Sequence, residues 1–204
     1  MNNETINIEL IQKLRKISGA GVLDCKNALI ESKGDIDKAL QILREKGITQ
    51  ALKKSVRTAK NGVIASYVHP GDRIGVLVEV NCETDFVART DEFKNLVKEI
   101  ALQIAAANPQ YILRSDVPKE IIEREKEIYR KQLEQEKKPE NIINKIIDGR
   151  LEKFYTEVCL LEQPYIRDPQ GKKKVIDLVN ETISKTGENI VIRRFVRYQL
   201  GEEQ

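Results

Sequence analysis

The chain reads Asn81-Cys82-Glu83-Thr84-Asp85-Phe86-Val87-Ala88-Arg89 between an apolar strand pattern and a strongly periodic helix pattern. The strand pattern covers residues 74–80, and the helix pattern begins near Asp91. A short connection of this kind lies on the surface of a rigid scaffold and often carries function. Phe86 is either an anchor in the protein's own core or an apolar side chain offered to a partner, and spacing alone leaves both open.

The composition is that of a soluble protein with an extensive polar surface. Of the 204 residues 33% are charged, but acidic and basic side chains nearly cancel at a formal net charge of +3. This balance disfavours a dedicated nucleic-acid-binding protein, which concentrates basic charge on one face. The length suffices for one medium-sized domain and one small domain.

The cysteines and the N-terminal residues indicate the cellular compartment of the protein. Cys25, Cys82 and Cys159 are far apart and form no CxxC pair, which predicts reduced, buried thiols in a reducing compartment. No apolar run approaches the roughly 20 residues needed to span a bilayer, and residues 1–10 resemble neither a secretory nor an organellar presequence. We expect no membrane association. Heavy use of isoleucine, lysine and asparagine hints at an AT-rich genome, so the expected location is the bacterial cytoplasm or the plastid stroma.

Residues 7–48 have the pattern of three short helices. Asn7 is placed to cap the first helix, and residues 18–21 separate it from the second. Gly34 and Gly47 are expected to end the second and third helices. Three helices in so short a segment form a minimal core.

We therefore expect a small three-helix domain over residues 1–53 and a basic linker over residues 54–60. The charges of the linker are typical of a solvated run rather than an RNA contact. Residues 61–204 have the pattern of an α+β core with one small antiparallel sheet, packed helices and a protruding helical hairpin. Its expected elements are strands at 63–68, 74–80 and 190–200, a turn at 69–72, helices at 91–107 and 172–185, and the hairpin over about 118–157.

The sequence contains none of the common histidine-, cysteine- or P-loop-based motifs of covalent catalysis. His69 is the single histidine and lies in a predicted turn, so neither a histidine-based metal cluster nor a Ser-His-Asp triad is available. Cys82 has no identifiable base nearby and fits a buried structural thiol better than a nucleophile. The chain contains no P-loop motif. We expect no metal site and no cysteine nucleophile.

A second candidate surface lies at the corner between the first two helices. Arg15, Val22 and Leu23 cluster there in sequence. Apolar side chains beside an arginine form the kind of anchor that interfaces favour, but Val22 and Leu23 also suit ordinary core packing. The residues alone do not decide between the two.

Three runs of sequence resemble the signatures of the elongation factor Ts family and stand in the family's order. They are residues 81–89, residues 14–29 (LRKISGAGVLDCKNAL), and Gly187-Glu188-Asn189-Ile190 followed by Arg193-Arg194-Phe195. The resemblance spans nearly the whole chain. It implies an N-terminal domain like those that bind ubiquitin, and a function as the guanine-nucleotide exchange factor of elongation factor Tu in translation elongation. Such a factor makes no covalent bonds, so the resemblance also implies no catalytic residue, no cofactor and a protein that is not an enzyme.

The resemblance also implies roles for individual residues. The tip Thr84-Asp85-Phe86-Val87 is implied to insert beside the nucleotide site of elongation factor Tu and to disturb the groups that hold magnesium. Thr84 and Asp85 can organise the turn by bonding to nearby backbone amides. The corner formed by Arg15, Val22 and Leu23 is implied to dock on the G domain of the same partner.

Two features depart from many members of the family. Gln103 stands where a histidine often occurs, which puts in doubt any role that requires a charge there. The chain is also short, and short members are expected to form homodimers. We expect a partner in both its GDP-bound and nucleotide-free forms, and no direct contact with nucleic acid. The alternatives are an adaptor with a ubiquitin-associated-like binding domain and, more weakly supported, an RNA-binding protein.

Overall fold

The structure is a computed structural model that describes residues 8–18, 20–134 and 139–202. The predicted cap at Asn7 and the glycine at position 19 lie outside the described residues. The chain divides into two compact units, which are described separately. Unit 1 comprises Met1–Ile64, Glu79–Lys98 and Asp177–Arg193, and unit 2 comprises Ala65–Val78, Glu99–Ile176 and Arg194–Gln204.

The predicted α+β class is confirmed. The sheet has three antiparallel strands in the order β1-β2-β3, formed by Asn61–Val68, Ile74–Cys82 and Val191–Gln199. The helices are α1 Ile8–Ser18, α2 Val22–Glu31, α3 Ile36–Lys54, α4 Asp85–Ala88, α5 Asp91–Ala107, α6 Lys119–Glu134, α7 Glu140–Val158 and α8 Val175–Thr186. Among the described residues, no helix is both long and apolar enough to cross a membrane.

The three N-terminal helices pack around one small apolar core. Its fully buried members are Leu14, Cys25, Ala28, Leu29 and Ala39. The Asp35 side chain caps α3 by accepting a hydrogen bond of 3.1 Å from the backbone N–H of Lys38. This is the helix-initiating role that aspartate favours.

The prediction that Gly47 ends the third helix is wrong, because α3 continues through this buried glycine to Lys54. Contacts with α8 hold α3 on both sides of this glycine. The guanidinium of Arg44 bonds both carboxylate oxygens of Asp177, and Lys54 Nζ donates to the carbonyl oxygen of Ile183 at 3.2 Å. Tertiary packing here outweighs the weak helix propensity of a single glycine. The domain boundary at residue 53 stays a prediction.

One glycine in unit 1 is required by a close approach of two strands. Gly62 has φ +144°, and a Cβ atom at this position would lie 2.1 Å from the carbonyl oxygen of Val80. This contact lies at the end of β2, immediately before the connection that the sequence singled out. The glycine therefore lets β1 pair closely with β2 at the base of that connection.

In unit 2, α6 and α7 form the predicted helical hairpin. Leu133, Ile147 and Leu151 are its buried core, with Ile122, Tyr129, Ile143, Ile146 and Tyr155 packed against them. Arg114 lies at its base and donates to Glu152 on α7 and to Glu162, in both cases with contacts of 2.7 Å. These bonds hold the pKa of both carboxyl groups below the usual range.

His69 occupies the predicted turn of unit 2. Its backbone N–H donates to Ile74 O, its carbonyl oxygen accepts from the N–H of Asp72, and its ring Nδ1 shares a hydrogen bond with Tyr67 Oη at 3.0 Å. These bonds close the hairpin between β1 and β2, so the assignment of His69 as a turn residue is confirmed.

Candidate functional site

The tip, Thr84–Val87, follows β2 and forms most of the one-turn helix α4. The hydroxyl of Thr84 caps this helix by accepting from the backbone N–H of Val87 at 3.3 Å. The turn directs Val87 and Ala88 inward, where each is 6% exposed, while Phe86 is 77% exposed. Of the two alternatives that the sequence left open, burial of Phe86 in the core is excluded.

Asp85 has a different contact from the expected backbone bond. Its carboxylate pairs with Arg89 four residues later, at 2.9 Å, and both side chains are more than two-thirds exposed. A surface pair of this kind contributes at most about 1 kcal/mol. Thr84 thus organises the turn, whereas Asp85 remains readily available to a partner.

Two acidic residues fasten the tip to the loop between α8 and β3. Glu188 accepts hydrogen bonds from the backbone N–H of Glu83 and of Thr84, both at 3.0 Å, and from the Thr84 hydroxyl at 2.6 Å. In return, the Glu83 carboxylate accepts from the N–H of Asn189 at 2.7 Å. We call these four residues the junction. Residues 187–190 form one of the family-like runs, but nothing in the sequence indicates their contact with the tip.

Cys82 supports the tip from beneath. It is fully buried, and its S–H donates to the carbonyl oxygen of Thr84 at 3.1 Å. Burial raises the pKa of this thiol to about 11, and the negative charge of Glu188 adds to the shift. The thiol is therefore protonated at neutral pH and serves as a donor, which agrees with the predicted structural role.

The N-terminal corner is a surface rather than part of the core. Val22 is 53% and Leu23 is 70% exposed, and Arg15 is also exposed. Val22 and Leu23 begin α2, directly after its N-cap residue Gly21. The structure therefore excludes core packing for these two apolar residues.

A cleft of about 720 Å³ in unit 1 brings part of this corner together with the tip. Arg15, Gly21 and Asp24 line it from the N-terminal helices, Phe86 and Val87 from the tip, and Lys185 from α8. Arg15 of the corner and Phe86 and Val87 of the tip thus border one concave surface, whereas Val22 and Leu23 are not among the residues that line it. A mixed lining of this kind suits a protein segment carrying both apolar and charged side chains.

Gln103 belongs to unit 2. It is 1% exposed, its Nε2 donates to Gln163 Oε1 and Pro164 O, and its Oε1 accepts from the N–H of Ile166. The side-chain amide thus holds the 163–166 loop against α5. This arrangement does not favour direct contact with a partner.

Among the described residues, no group of three or more histidine, cysteine, aspartate or glutamate side chains could hold a metal ion. What the site offers is one exposed aromatic side chain on a hydrogen-bonded base, beside a partly apolar cleft. Such an arrangement can bind and displace groups of a partner.

Comparison with known proteins extends the similarity far beyond the signature runs. Residues 10–202 match the family model described as Elongation factor TS. The protein named Elongation factor Ts from Caldanaerobacter subterraneus subsp. tengcongensis is 62% identical over 197 residues, which cover 97% of this chain and 98% of the relative. The proteins of that name from Thermotoga neapolitana and Carboxydothermus hydrogenoformans are 59% and 57% identical, over 97% of this chain and 98% and 90% of the respective relatives.

Proposed function

Because this chain belongs to the elongation factor Ts family, it is a nucleotide exchange factor of translation elongation, and we propose how its residues act on elongation factor Tu. In this proposal the Thr84–Val87 tip drives release of GDP, and Arg15, Val22 and Leu23 supply binding energy. The observation that carries the proposal is the 77% exposure of Phe86 on a base fastened by hydrogen bonds. An apolar side chain so exposed is available for burial in a partner.

The proposed mechanism is coupling without covalent chemistry. Insertion of Phe86 beside the nucleotide site displaces groups that hold Mg²⁺, and this ion neutralises the phosphates of GDP. The nucleotide is then held less tightly. By thermodynamic linkage, GDP must weaken binding of the exchange factor by the same factor.

The N-terminal surface has a separate proposed role. Docking buries exposed apolar surface of Val22 and Leu23, which contributes favourable binding free energy. This contribution is independent of the distortion that the tip imposes. Binding energy from such a remote contact can support an unfavourable distortion elsewhere. The exposed ion pair between Asp85 and Arg89 can open for the partner at small cost.

We also propose that two copies of the chain associate through the sheet. Large apolar side chains of unit 2 are exposed on all three strands, with Val68 at 60%, Leu77 at 49% and Tyr198 at 59%. No cysteine follows Cys159, so a disulfide in β3 cannot hold the pair together. Equilibrium sedimentation at micromolar concentration should show a species above 23.3 kDa. A purely monomeric chain with full exchange activity would refute this part.

The relatives described above are all from bacteria, which favours the bacterial cytoplasm over the plastid stroma as the place of action. The chain is proposed to act as a binding factor rather than an enzyme. Gln103 is assigned a structural role in unit 2, because its amide groups are engaged within the unit.

Retention of purified elongation factor Tu on the immobilised chain tests the proposal. The partner should be retained in the absence of nucleotide and released by excess GDP with Mg²⁺. Capture that is indifferent to GDP would instead support the adaptor alternative. Retention of nucleic acid with a steep salt dependence would support the RNA-binding alternative.

A further inference from the structure

We propose that Glu188 is a positioning residue for nucleotide exchange, which holds the base of the tip so that Phe86 is presented in one place. The proposal rests on the exchange function proposed above for the Thr84–Val87 tip. It assigns to the loop between α8 and β3 a part in exchange, although Glu188 is 104 residues away in sequence from Thr84.

A continuous series of hydrogen bonds leads from Glu188 to the residue next to Phe86. Glu188 Oε1 accepts from the Thr84 hydroxyl at 2.6 Å, and the oxygen of that hydroxyl accepts from the N–H of Val87 at 3.3 Å. Glu188 Oε2 meanwhile accepts from the N–H of Glu83 and of Thr84. One carboxylate thus fixes both the backbone that enters the tip and the side chain that caps α4. Hydrogen bonds to an ionised carboxylate are stronger than those between neutral groups.

The loop that carries Glu188 is itself fastened on two sides. Glu83 accepts from the N–H of Asn189, so each segment of the junction contributes a carboxylate to the backbone of the other. Asn189 is 3% exposed, and its Nδ2 donates to the carbonyl oxygens of Arg57 at 2.7 Å and of Ser55 at 3.4 Å. The segment that follows α3 is therefore attached to the same loop as the tip.

Positioning matters because the inserted side chain must displace groups in the partner. A tip free to swing could bury Phe86 without moving anything, and its binding would then stabilise the GDP complex and the distorted complex equally. Only interactions that are stronger in the distorted state accelerate release. If the base of the tip is fixed, burial of Phe86 must distort the nucleotide site of the partner. This is the advantage of preorganisation.

The test measures release of a fluorescent GDP analogue from elongation factor Tu over a range of exchange-factor concentrations. Glu188→Gln keeps the side-chain volume but removes the charge. We expect the maximal release rate to fall about tenfold, the equivalent of one charge-assisted hydrogen bond, with little change in the half-saturating concentration. Asp168→Asn is the matched control, since this carboxylate accepts from the N–H of Gln170, Lys172 and Lys173 in a loop of unit 2. It should release GDP at the wild-type rate.

A double-mutant cycle separates positioning from a purely structural role. In a Phe86→Ala background, Glu188→Gln should cause no further loss, because there is no aromatic ring left to position. Losses that multiply would overturn the proposal, as would a wild-type maximal rate for Glu188→Gln. If Glu188→Gln does not fold, Thr84→Val removes the 2.6 Å bond from the other side and should show the same dependence on Phe86.

The two variants distinguish a failure of the positioning role of Glu188 from a failure of the exchange function of the tip. A slow Phe86→Ala with a normal Glu188→Gln would overturn the positioning role and leave the tip function standing. A wild-type rate for Phe86→Ala would overturn the tip function and the positioning role together.

Discussion

Replacing Phe86 with alanine should slow release of GDP while leaving the free protein stable. The ring is 77% exposed and Val87 and Ala88 fill the adjoining core, so its removal opens no cavity. Full burial of a phenylalanine side chain contributes roughly 1.5–3 kcal/mol. About a quarter of the ring is already covered, which leaves about 1.2–2.3 kcal/mol to be gained on insertion.

This free energy sets the size of the expected effect. Each 1.36 kcal/mol in the barrier is a factor of ten in rate, so Phe86→Ala should reduce the maximal release rate about 7- to 50-fold. Stopped-flow fluorescence with a GDP analogue bound to elongation factor Tu measures this rate directly. The concentration dependence must be included, because the prediction concerns the rate at saturation.

Leu52→Ala is a suitable control for the loss of an exposed apolar side chain. Leu52 is 67% exposed on α3 in the same unit, and no role in exchange is proposed for it. It should release GDP at the wild-type rate. A folded Phe86→Ala variant that also releases GDP at the wild-type rate at saturation would refute the role given to the tip.

Three further predictions follow from burial and geometry. Leu23→Ala should leave the melting temperature unchanged and raise the half-saturating concentration about five- to thirtyfold, because Leu23 is 70% exposed before docking; an unchanged titration of release rate would contradict this. Gly62→Ala should lower the free energy of unfolding by roughly 1–3 kcal/mol in urea titrations, since its Cβ would lie 2.1 Å from Val80 O; wild-type stability would show that the strands can separate there. Burial raises the pKa of Cys82 and of Cys159 from the ordinary value of 9.0 to about 11. Their contribution to stability is therefore complete below about pH 9 and lost as the pH rises towards 11, and urea titrations of Cys159→Ala should show a smaller loss over that range.

The sequence alone predicts secondary structure well where the hydrophobic pattern is strong and local. The helix predicted over residues 91–107 has those bounds in the structure, because its apolar side chains recur at helical spacing and Asn108 and Pro109 end it. The helical hairpin is likewise found at Lys119–Glu134 and Glu140–Val158. These elements need no information from distant parts of the chain.

Contacts between distant segments account for what the sequence did not reveal. Gly47 resembles a helix end, but α3 passes through it because Arg44 and Lys54 contact α8 more than 120 residues later. Gln103 stands in a helix pattern that gives no sign of the 163–166 loop that covers it. A periodic pattern shows which face of a helix is apolar, but not which loop covers a polar residue at its edge.

In the candidate site, too, local sequence reveals some features, whereas others depend on contacts in the folded chain. The tip residues could be found from their composition, but the exposure of Phe86 depends on the single turn of α4 and the inward direction of Val87 and Ala88. Glu188 lies in one of the family-like runs, but nothing in the sequence indicates which residues it contacts, since a glutamate after a helix is ordinary. Its partners, Glu83 and Thr84, are known only once the chain is folded.

Helix α8 connects the proposed binding surface with the proposed exchange tip inside unit 1. At its start Asp177 is 5% exposed and held by the guanidinium of Arg44, which fixes α3 and the N-terminal core to it. At its end Gly187 closes the helix, and Glu188 follows directly and holds the tip. The Arg44 side chain is about half exposed, so the pair is only partly buried, but its two hydrogen bonds to one carboxylate give the contact a defined geometry. The N-terminal helices are therefore attached to the element that positions the tip, and the proposed docking residue Leu23 and the proposed exchange residue Phe86 belong to one connected arrangement within unit 1.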